Sequence, residues 1–316
     1  GRAITTKEAQ ETGRKATAEA GRKSATAQKI INRNSQEAIE EAKIVIQSKS
    51  IEEISFLLEK ATLLNLPVTF RAAGTSLSGQ AISDSILILT SKYWTDHEVL
   101  DNGKKIKLQP GVIGARANVL LKPYGRKIGP DPASINSAMV GGIAANNASG
   151  MCCGTSQNSY KTLESLKIIF YDGFVLDTTN SESIENFKTH HATIYDSVVE
   201  LINETQNNQQ LIKRIHQKYK MKNTTGYSLN ALVDYTNPID VITHLMIGSE
   251  GTLGMIAEIT YNTVKDHPFK ASALMIFENI EMACNVVSIL KSAPVAAVEL
   301  MDRASLKSVE NMEGVP

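Results

Sequence analysis

Three loops of small residues hold the side chains and amides best suited to bind an extended ligand with several polar groups. The first is Arg71-Ala-Ala-Gly-Thr-Ser-Leu-Ser-Gly79. Gly74 and Gly79 can take positive φ, which lets successive backbone N–H groups face one side. Thr75, Ser76 and Ser78 add hydroxyl donors. Such a concave run of donors is an anion-binding nest, able to hold a pyrophosphate without net positive charge. The same string also suits a tight surface turn, and Arg71 either assists the anion or braces the loop.

The second loop is Pro130-Asp-Pro-Ala-Ser134, followed by Met139-Val-Gly-Gly-Ile-Ala-Ala-Asn-Asn-Ala-Ser-Gly150. Gly141 and Gly142 permit close approach of a ligand or of backbone, and Asn146 and Asn147 each carry amide donors and an acceptor. An Asn/Gly loop held by its own Asx turns is the plain alternative. The third is Gly248-Ser-Glu-Gly-Thr-Leu-Gly254, just before a strand-like run. Its three glycines suit either a flat ligand or dense packing. Two familiar phosphate motifs are excluded. No Gly-x4-Gly-Lys-Ser/Thr occurs, and Gly74 and Gly79 do not fit Gly-x-Gly-x-x-Gly.

The elements that must position these loops follow from periodicity. Lys43–Gln47 reads as a strand, and Ile51, Ile54, Leu57, Leu58 and Ala61 recur at helical spacing. Leu66–Phe70 is a second strand that opens into the first loop, and Ser85–Thr90 a third. Ile106–Gln109 reads as strand and Ala115–Leu121 as helix. Residues 129–155 form a long segment poor in large apolar groups, which inside a domain is functional or disordered. Leu166–Tyr171 and Phe174–Thr178 flank Asp172-Gly173, which predicts a hairpin with a type I′ turn. Residues 181–220 and 239–247 read as helical. Ile256–Val264 alternates like a strand with one wet face. Ala273–Phe277 and Val295–Met301 are strand-like, while Met282–Leu290 and the residues from Asp302 are helix-like. That tail is expected to open a second α+β unit left incomplete at Pro316.

Charge is balanced, 33 basic against 33 acidic residues, so no global field drives the chain toward nucleic acid or an anionic membrane. Three cysteines cannot build a disulfide framework, which points to a reducing compartment. No apolar run reaches the ~18 residues of a membrane span, and the start lacks the apolar stretch of a signal peptide.

Taken together, Arg71–Gly79, Asp131-Pro-x-Ser134, Gly141-Gly142-x4-Asn147-x2-Gly150 and Gly248–Gly254 resemble the FAD-binding domain of the vanillyl-alcohol-oxidase/p-cresol-methylhydroxylase superfamily. Within it, the chain is similar to the FAD-linked D-lactate dehydrogenases of the long bacterial type, which carry a downstream iron–sulfur region. Pro67–Gln80, Ser149–Thr155 and Val298–Arg303 support that placement. The likeness runs from about Lys43 to the end.

The resemblance implies an α+β fold, a two-subdomain FAD-binding domain of the p-cresol-methylhydroxylase type. It would span 43–266, with subdomains at 43–90 and 91–266 and a helical insertion at about 181–247. Residues 267–316 would begin a substrate (cap) domain, and 1–42 are left unassigned. The relatives' Asp-Ala-Ser-x-Tyr-like string is replaced here by Asn34-Ser-Gln-Glu-Ala38. FAD would be held by Arg71, Ala72, Ala73, Gly74, Thr75, Ser76, Leu77 and Gly79 at the pyrophosphate. Asp131, Pro132 and Ser134 would border the flavin and ribityl chain. Met139, Gly141, Gly142, Asn146, Asn147, Ser149 and Gly150 would continue along it. Glu250, Gly251, Gly254 and Ile256 would contact the flavin or adenine end. No histidine stands in the first loop, so the FAD would be non-covalent.

The implied activity is oxidation of a D-2-hydroxy acid, D-lactate favoured, with hydride passing to flavin N5 and electrons to a quinone, a cytochrome or an iron–sulfur region. The catalytic groups, a divalent metal and iron–sulfur clusters would lie beyond Pro316. A non-catalytic flavin-binding assembly subunit and an NADPH-dependent reductase are the alternatives. No nucleic-acid partner is expected; a homodimer is left open. A cytoplasmic location, or one peripheral to the inner membrane, would follow.

The remaining reactive residues read plainly. His190-His191 looks like an exposed helical pair, and no metal ligand is assigned in this chain. Cys152-Cys153 looks like loop packing, because an iron–sulfur site needs several spaced thiolates. Lys222-Asn-Thr-Thr-Gly-Tyr227 reads as a turn with an aromatic anchor, and it recurs in the look-alikes.

Overall fold

A computed structural model describes residues 38–290 and 292–309. The expectations for residues 1–37, and for the last residues before Pro316, lie outside the described residues. The chain divides into two units, one of them spanning 38–272.

That unit opens with β1 (Ile44–Gln47), α1 (Ile51–Leu63), β2 (Val68–Arg71) and β3 (Ile86–Leu89). These strands form a parallel sheet in the order β1-β3-β2. α1 starts where the Ser50 side chain accepts from the Glu53 N–H. Glu52 and Glu53 then sit at its positive end and Lys60 at its negative end. Its buried stripe, Ile54, Leu58 and Ala61, packs with Ile86, Ile88 and Trp94. Burial of each large aliphatic group there is worth ~1.5–3 kcal/mol.

The next elements are β4 (His97–Leu100), β5 (Lys105–Leu108), α2 (Gly114–Leu121), β6 (Arg126–Lys127), α3 (Val140–Asn146) and α4 (Ser159–Thr162). β7 (Leu163–Ile169) and β8 (Val175–Asp177) form the hairpin. Then come α5 (Ser181–His190), α6 (Ala192–Gln206), α7 (Gln209–Lys218), α8 (Ala231–Asp234) and α9 (Pro238–Leu245). β9 (Met255–Asn262) and β10 (Val264–Lys265) follow. A five-stranded antiparallel sheet runs β4-β5-β9-β7-β8, and β10 pairs with β6. The architecture is α+β, as expected.

Four local expectations need correction. β9 has no wet face: Met255, Ala257, Ile259 and Tyr261 are all buried, as are Ile256 and Thr260. It lies mid-sheet, with Met255 and Ala257 in the core beside α1 and Ile256, Ile259 and Tyr261 in the larger core. The polar positions that mimic a half-exposed strand are covered by tertiary packing. The hairpin turn is not type I′, because only Gly173 takes positive φ. Phe170 and Phe174 close a three-residue loop, in which Gly173 N–H donates to Phe170 O at 2.9 Å. Asp172 instead caps the Phe174 N–H at 3.1 Å. The 129–155 segment is not wholly loop: Val140–Asn146 is helical, with Val140, Ile143 and Ala144 buried. In the tail, 273–277 and 295–301 form no strand among the described residues, since neither has a neighbouring ladder to satisfy its backbone. Helices α10 (Ile280–Leu290) and α11 (Arg303–Val309) do form there. Among the described residues no helix is long and apolar enough to cross a membrane.

Candidate functional site: a cofactor cleft

β2 and β3 point their carboxyl ends toward a cleft of about 380 Å³. That is where parallel α/β sheets generally bind ligands. The first loop, residues 72–78 with Gln80 and Ala81, forms one wall. Met139, Gly141, Gly142, Ile143, Ala145, Asn146 and Ala148, from α3 and its flanks, form a second. Ser249–Gly251 and Gly254–Ile256 form a third, with Ser134 nearby.

The first wall is rich in unengaged donors. Among the described residues, no hydrogen bond runs from a backbone amide between Ala73 and Ala81 to a protein acceptor, while Ile82 N–H reaches Gly79 O at 3.1 Å. The loop is held from behind by Arg71, whose Nη1 donates to Ala81 O at 2.8 Å. Arg71 is only 4% exposed, and burial pushes its guanidinium below its ordinary range. Of the two readings of Arg71, the geometry favours the brace. Thr90 closes the floor; its N–H donates to Arg71 O at 3.0 Å.

The glycine pair in the second wall divides its work. A Cβ on Gly141 would meet Pro110 Cβ at 2.5 Å, so that glycine serves packing. A Cβ on Gly142 would find only Ala72, at 3.9 Å, so that one leaves the wall open to a ligand. Asn146 Nδ2 donates to Glu250 Oε1 at 2.5 Å, tying the second wall to the third. Glu250 holds φ 53 and its N–H donates to Ala145 O at 2.9 Å. Ser249 lines the cleft, and its buried Oγ has no hydrogen-bond partner among the described residues.

Of the residues expected at the cofactor, Ala72, Ala73, Gly74, Thr75, Ser76, Leu77, Ser134, Met139, Gly141, Gly142, Asn146, Glu250, Gly251, Gly254 and Ile256 all line this cleft. Arg71, Gly79, Asp131, Pro132, Asn147, Ser149 and Gly150 do not. Asp131 accepts from the N–H groups of Gly150, Cys152 and Cys153 at 3.0, 3.1 and 3.2 Å, so it fastens that loop. Asn147 ends α3 in a left-handed conformation and accepts from Tyr160 N–H at 3.3 Å. Cys153 is buried, and burial pushes its thiol up; Cys152 is exposed. Tyr227 OH lies 2.8 Å from Thr252 Oγ1 and Lys222 Nζ 3.5 Å from Gly150 O, so the 222–227 turn braces two of the loops.

Sequence reasoning missed Gln80, Thr90, Pro110 and Ser249 as lining residues, while Ser78 was named only as a hydroxyl donor of the first loop. Ser249 stands inside the third loop, and Gln80 and Pro110 directly follow the first loop and the Ile106–Gln109 strand. Nothing local marked Thr90.

Residues 42–179 match the family described as an FAD binding domain. This segment is an FAD-binding domain of the p-cresol-methylhydroxylase type. FAD is its cofactor. The fit is visible in the cleft: small side chains, a wall of amides and hydroxyls, an orphaned Ser249 hydroxyl and room at Gly142.

Similar curated proteins include the glycolate oxidase subunit GlcD of Escherichia coli K12, 23% identical over 85% of this chain and 44% of that protein. The D-2-hydroxyglutarate dehydrogenase of Haemophilus influenzae is 23% identical over 82% of this chain and 26% of its own length. The D-lactate dehydrogenase of Archaeoglobus fulgidus is 25% identical, over 86% and 50%. The chain thus spans between a quarter and a half of the length of these relatives.

Proposed function

We propose that the chain is the flavin-binding part of an oxidoreductase that oxidises a D-2-hydroxy acid, D-lactate foremost, to the 2-oxo acid. The observation that carries the reading is the wall of unengaged amides after β2, facing a cleft whose lining includes only one charged side chain, Glu250. A diphosphate held there is neutralised by N–H dipoles and the hydroxyls of Thr75, Ser76 and Ser78 rather than by cations. Gly142 lets the ligand lie against α3. Asn146 and Glu250 fix the spacing of the two far walls, and Ser249 offers a hydroxyl. No histidine, cysteine or tyrosine lines the cleft, so nothing there can bond the flavin covalently, and we infer non-covalent FAD.

Bound FAD supplies two-electron redox chemistry by accepting a hydride from the substrate carbon. The protein orients that ring and limits access of water to it. The substrate class is supported by the names of the relatives, which share 2-hydroxy acids as substrates. No lysine, arginine or histidine lines the cleft, so the base and the carboxylate clamp must come from other residues of the full protein. The electron acceptor is a quinone, a cytochrome or an iron–sulfur region.

The test is anaerobic spectroscopy on the purified full-length protein. A yellow protein whose flavin band bleaches with D-lactate, and less with glycolate, D-2-hydroxyglutarate or L-lactate, fits the proposal. Bleaching by NADPH alone points to the reductase, and a flavin that no donor reduces points to an assembly subunit. Either result overturns the proposal.

A further inference from the structure

A second constellation lies outside the cofactor cleft. Asp172 sits in the β7–β8 loop, His190 ends α5, and His191 occupies the break between α5 and α6. Their ligand atoms all lie within 4.8 Å of one another. His190 Nε2 is 3.3 Å from Asp172 Oδ2, and His191 Nε2 is 3.4 Å from the same oxygen.

The expectation of an exposed helical pair fails at His191. That residue is only 6% exposed and holds φ −112, ψ 41, outside the helix, which turns its ring to the same side as its neighbour's. Phe170, Phe174 and Phe187 surround the ring with centroids 5.4, 5.1 and 5.1 Å away. Its Nε2 is buried and makes no hydrogen bond, since the approach to Asp172 is off-angle. A buried polar nitrogen left without a partner is expensive, unless something else fills its lone pair.

We propose that Asp172, His190 and His191 bind one divalent cation of the zinc class. Zinc bound to imidazole at ~2.0–2.1 Å and carboxylate at ~2.0–2.2 Å, in a tetrahedron, sets neighbouring ligand atoms about 3.4 Å apart. Two of the three edges already have that length. Two nitrogens and one oxygen suit zinc rather than magnesium or calcium, which prefer all-oxygen shells. His190 lies at the negative end of α5, where a cation is favoured, and its exposed ring can swing to complete the third edge. A water takes the fourth position. The ion ties the hairpin loop to the α5–α6 corner, independently of FAD.

Calorimetric titration of chelator-treated full-length protein with Zn2+ tests this, together with thermal melts. One ion per chain is expected, with a rise in Tm on binding. His190→Ala removes an exposed ligand without disturbing the core and weakens binding at least tenfold, as does Asp172→Asn. His216→Ala, an exposed histidine elsewhere, leaves binding unchanged. Failure to bind Zn2+ at millimolar concentration, or binding that His190→Ala leaves intact, overturns the proposal.

Discussion

Asn146 Nδ2 donates to Glu250 Oε1 at 2.5 Å, across 104 residues of chain. One bond therefore sets the distance between the α3 wall and the turn before β9, both of which line the cleft. A hydrogen bond to a charged acceptor contributes ~1.5–3 kcal/mol. Glu250→Ala is expected to weaken FAD binding by about tenfold, or ~1.4 kcal/mol, while Glu250→Gln, which keeps an oxygen acceptor, stays near the parent. Flavin fluorescence quenching measures both. In a double-mutant cycle with Asn146→Ala the two losses should fall short of additivity.

Gly74 and Gly79 both take positive φ, but they differ in surroundings. A Cβ on Gly74 would run into the Arg71 guanidinium, which cannot retreat because it is buried and bonded to Ala81 O. A Cβ on Gly79 meets nothing within 4 Å. Gly79→Ala should therefore cost about 1 kcal/mol, the backbone penalty alone. Gly74→Ala should cost about 2–4 kcal/mol, adding overpacking to that penalty. Denaturant unfolding of the two variants gives the order; equal losses would mean that Arg71 does not brace the loop.

Asp131 accepts three N–H groups from the 150–153 loop. Asp131→Ala strands those donors, with a loss of about 1–3 kcal/mol. Hydrogen exchange at Gly150, Cys152 and Cys153 should accelerate selectively. The cleft amides of Thr90 and Ile143, bonded to Arg71 O and Met139 O, should keep their protection, because Asp131 does not line the cleft.

His244 is buried with Nδ1 2.7 Å from Asp240 O and Nε2 2.8 Å from Tyr235 OH. Burial holds its imidazole below the ordinary range, outweighing the Asp240 carbonyl and the nearby carboxylates of Asp240 and Asp234; Lys161 adds to the lowering. The unfolded chain therefore binds the proton more readily. Stability from this group is complete above pH ~6.5 and falls as pH drops below it, by at most ~1.4 kcal/mol per pH unit. His244→Gln should flatten that acid limb in melts between pH 5 and 7. An unchanged slope would locate the acid sensitivity elsewhere.

Much of the site was readable from local pattern. The strand that ends at Arg71, the glycine and hydroxyl spacing after it and the Asn-rich second loop all report short-range geometry, which depends on φ preferences and donor chemistry within a few residues. Roles were harder. Gly141 and Gly142 look alike in the chain, yet Pro110 lies against one and open space against the other. Asp131 stands in a cofactor-type string, yet that it accepts three N–H groups from the 150–153 loop is visible only in the fold.

Residue order alone determined the β1-α1-β2 succession, the small-residue loop after it and the balanced charge. Only the tertiary structure decided that β9 is buried on both faces, that Asn146 meets Glu250, and that His191 leaves solvent to face Asp172. Periodicity and propensity act over one or two turns of chain. Burial and convergence are set by whatever distant segment packs alongside.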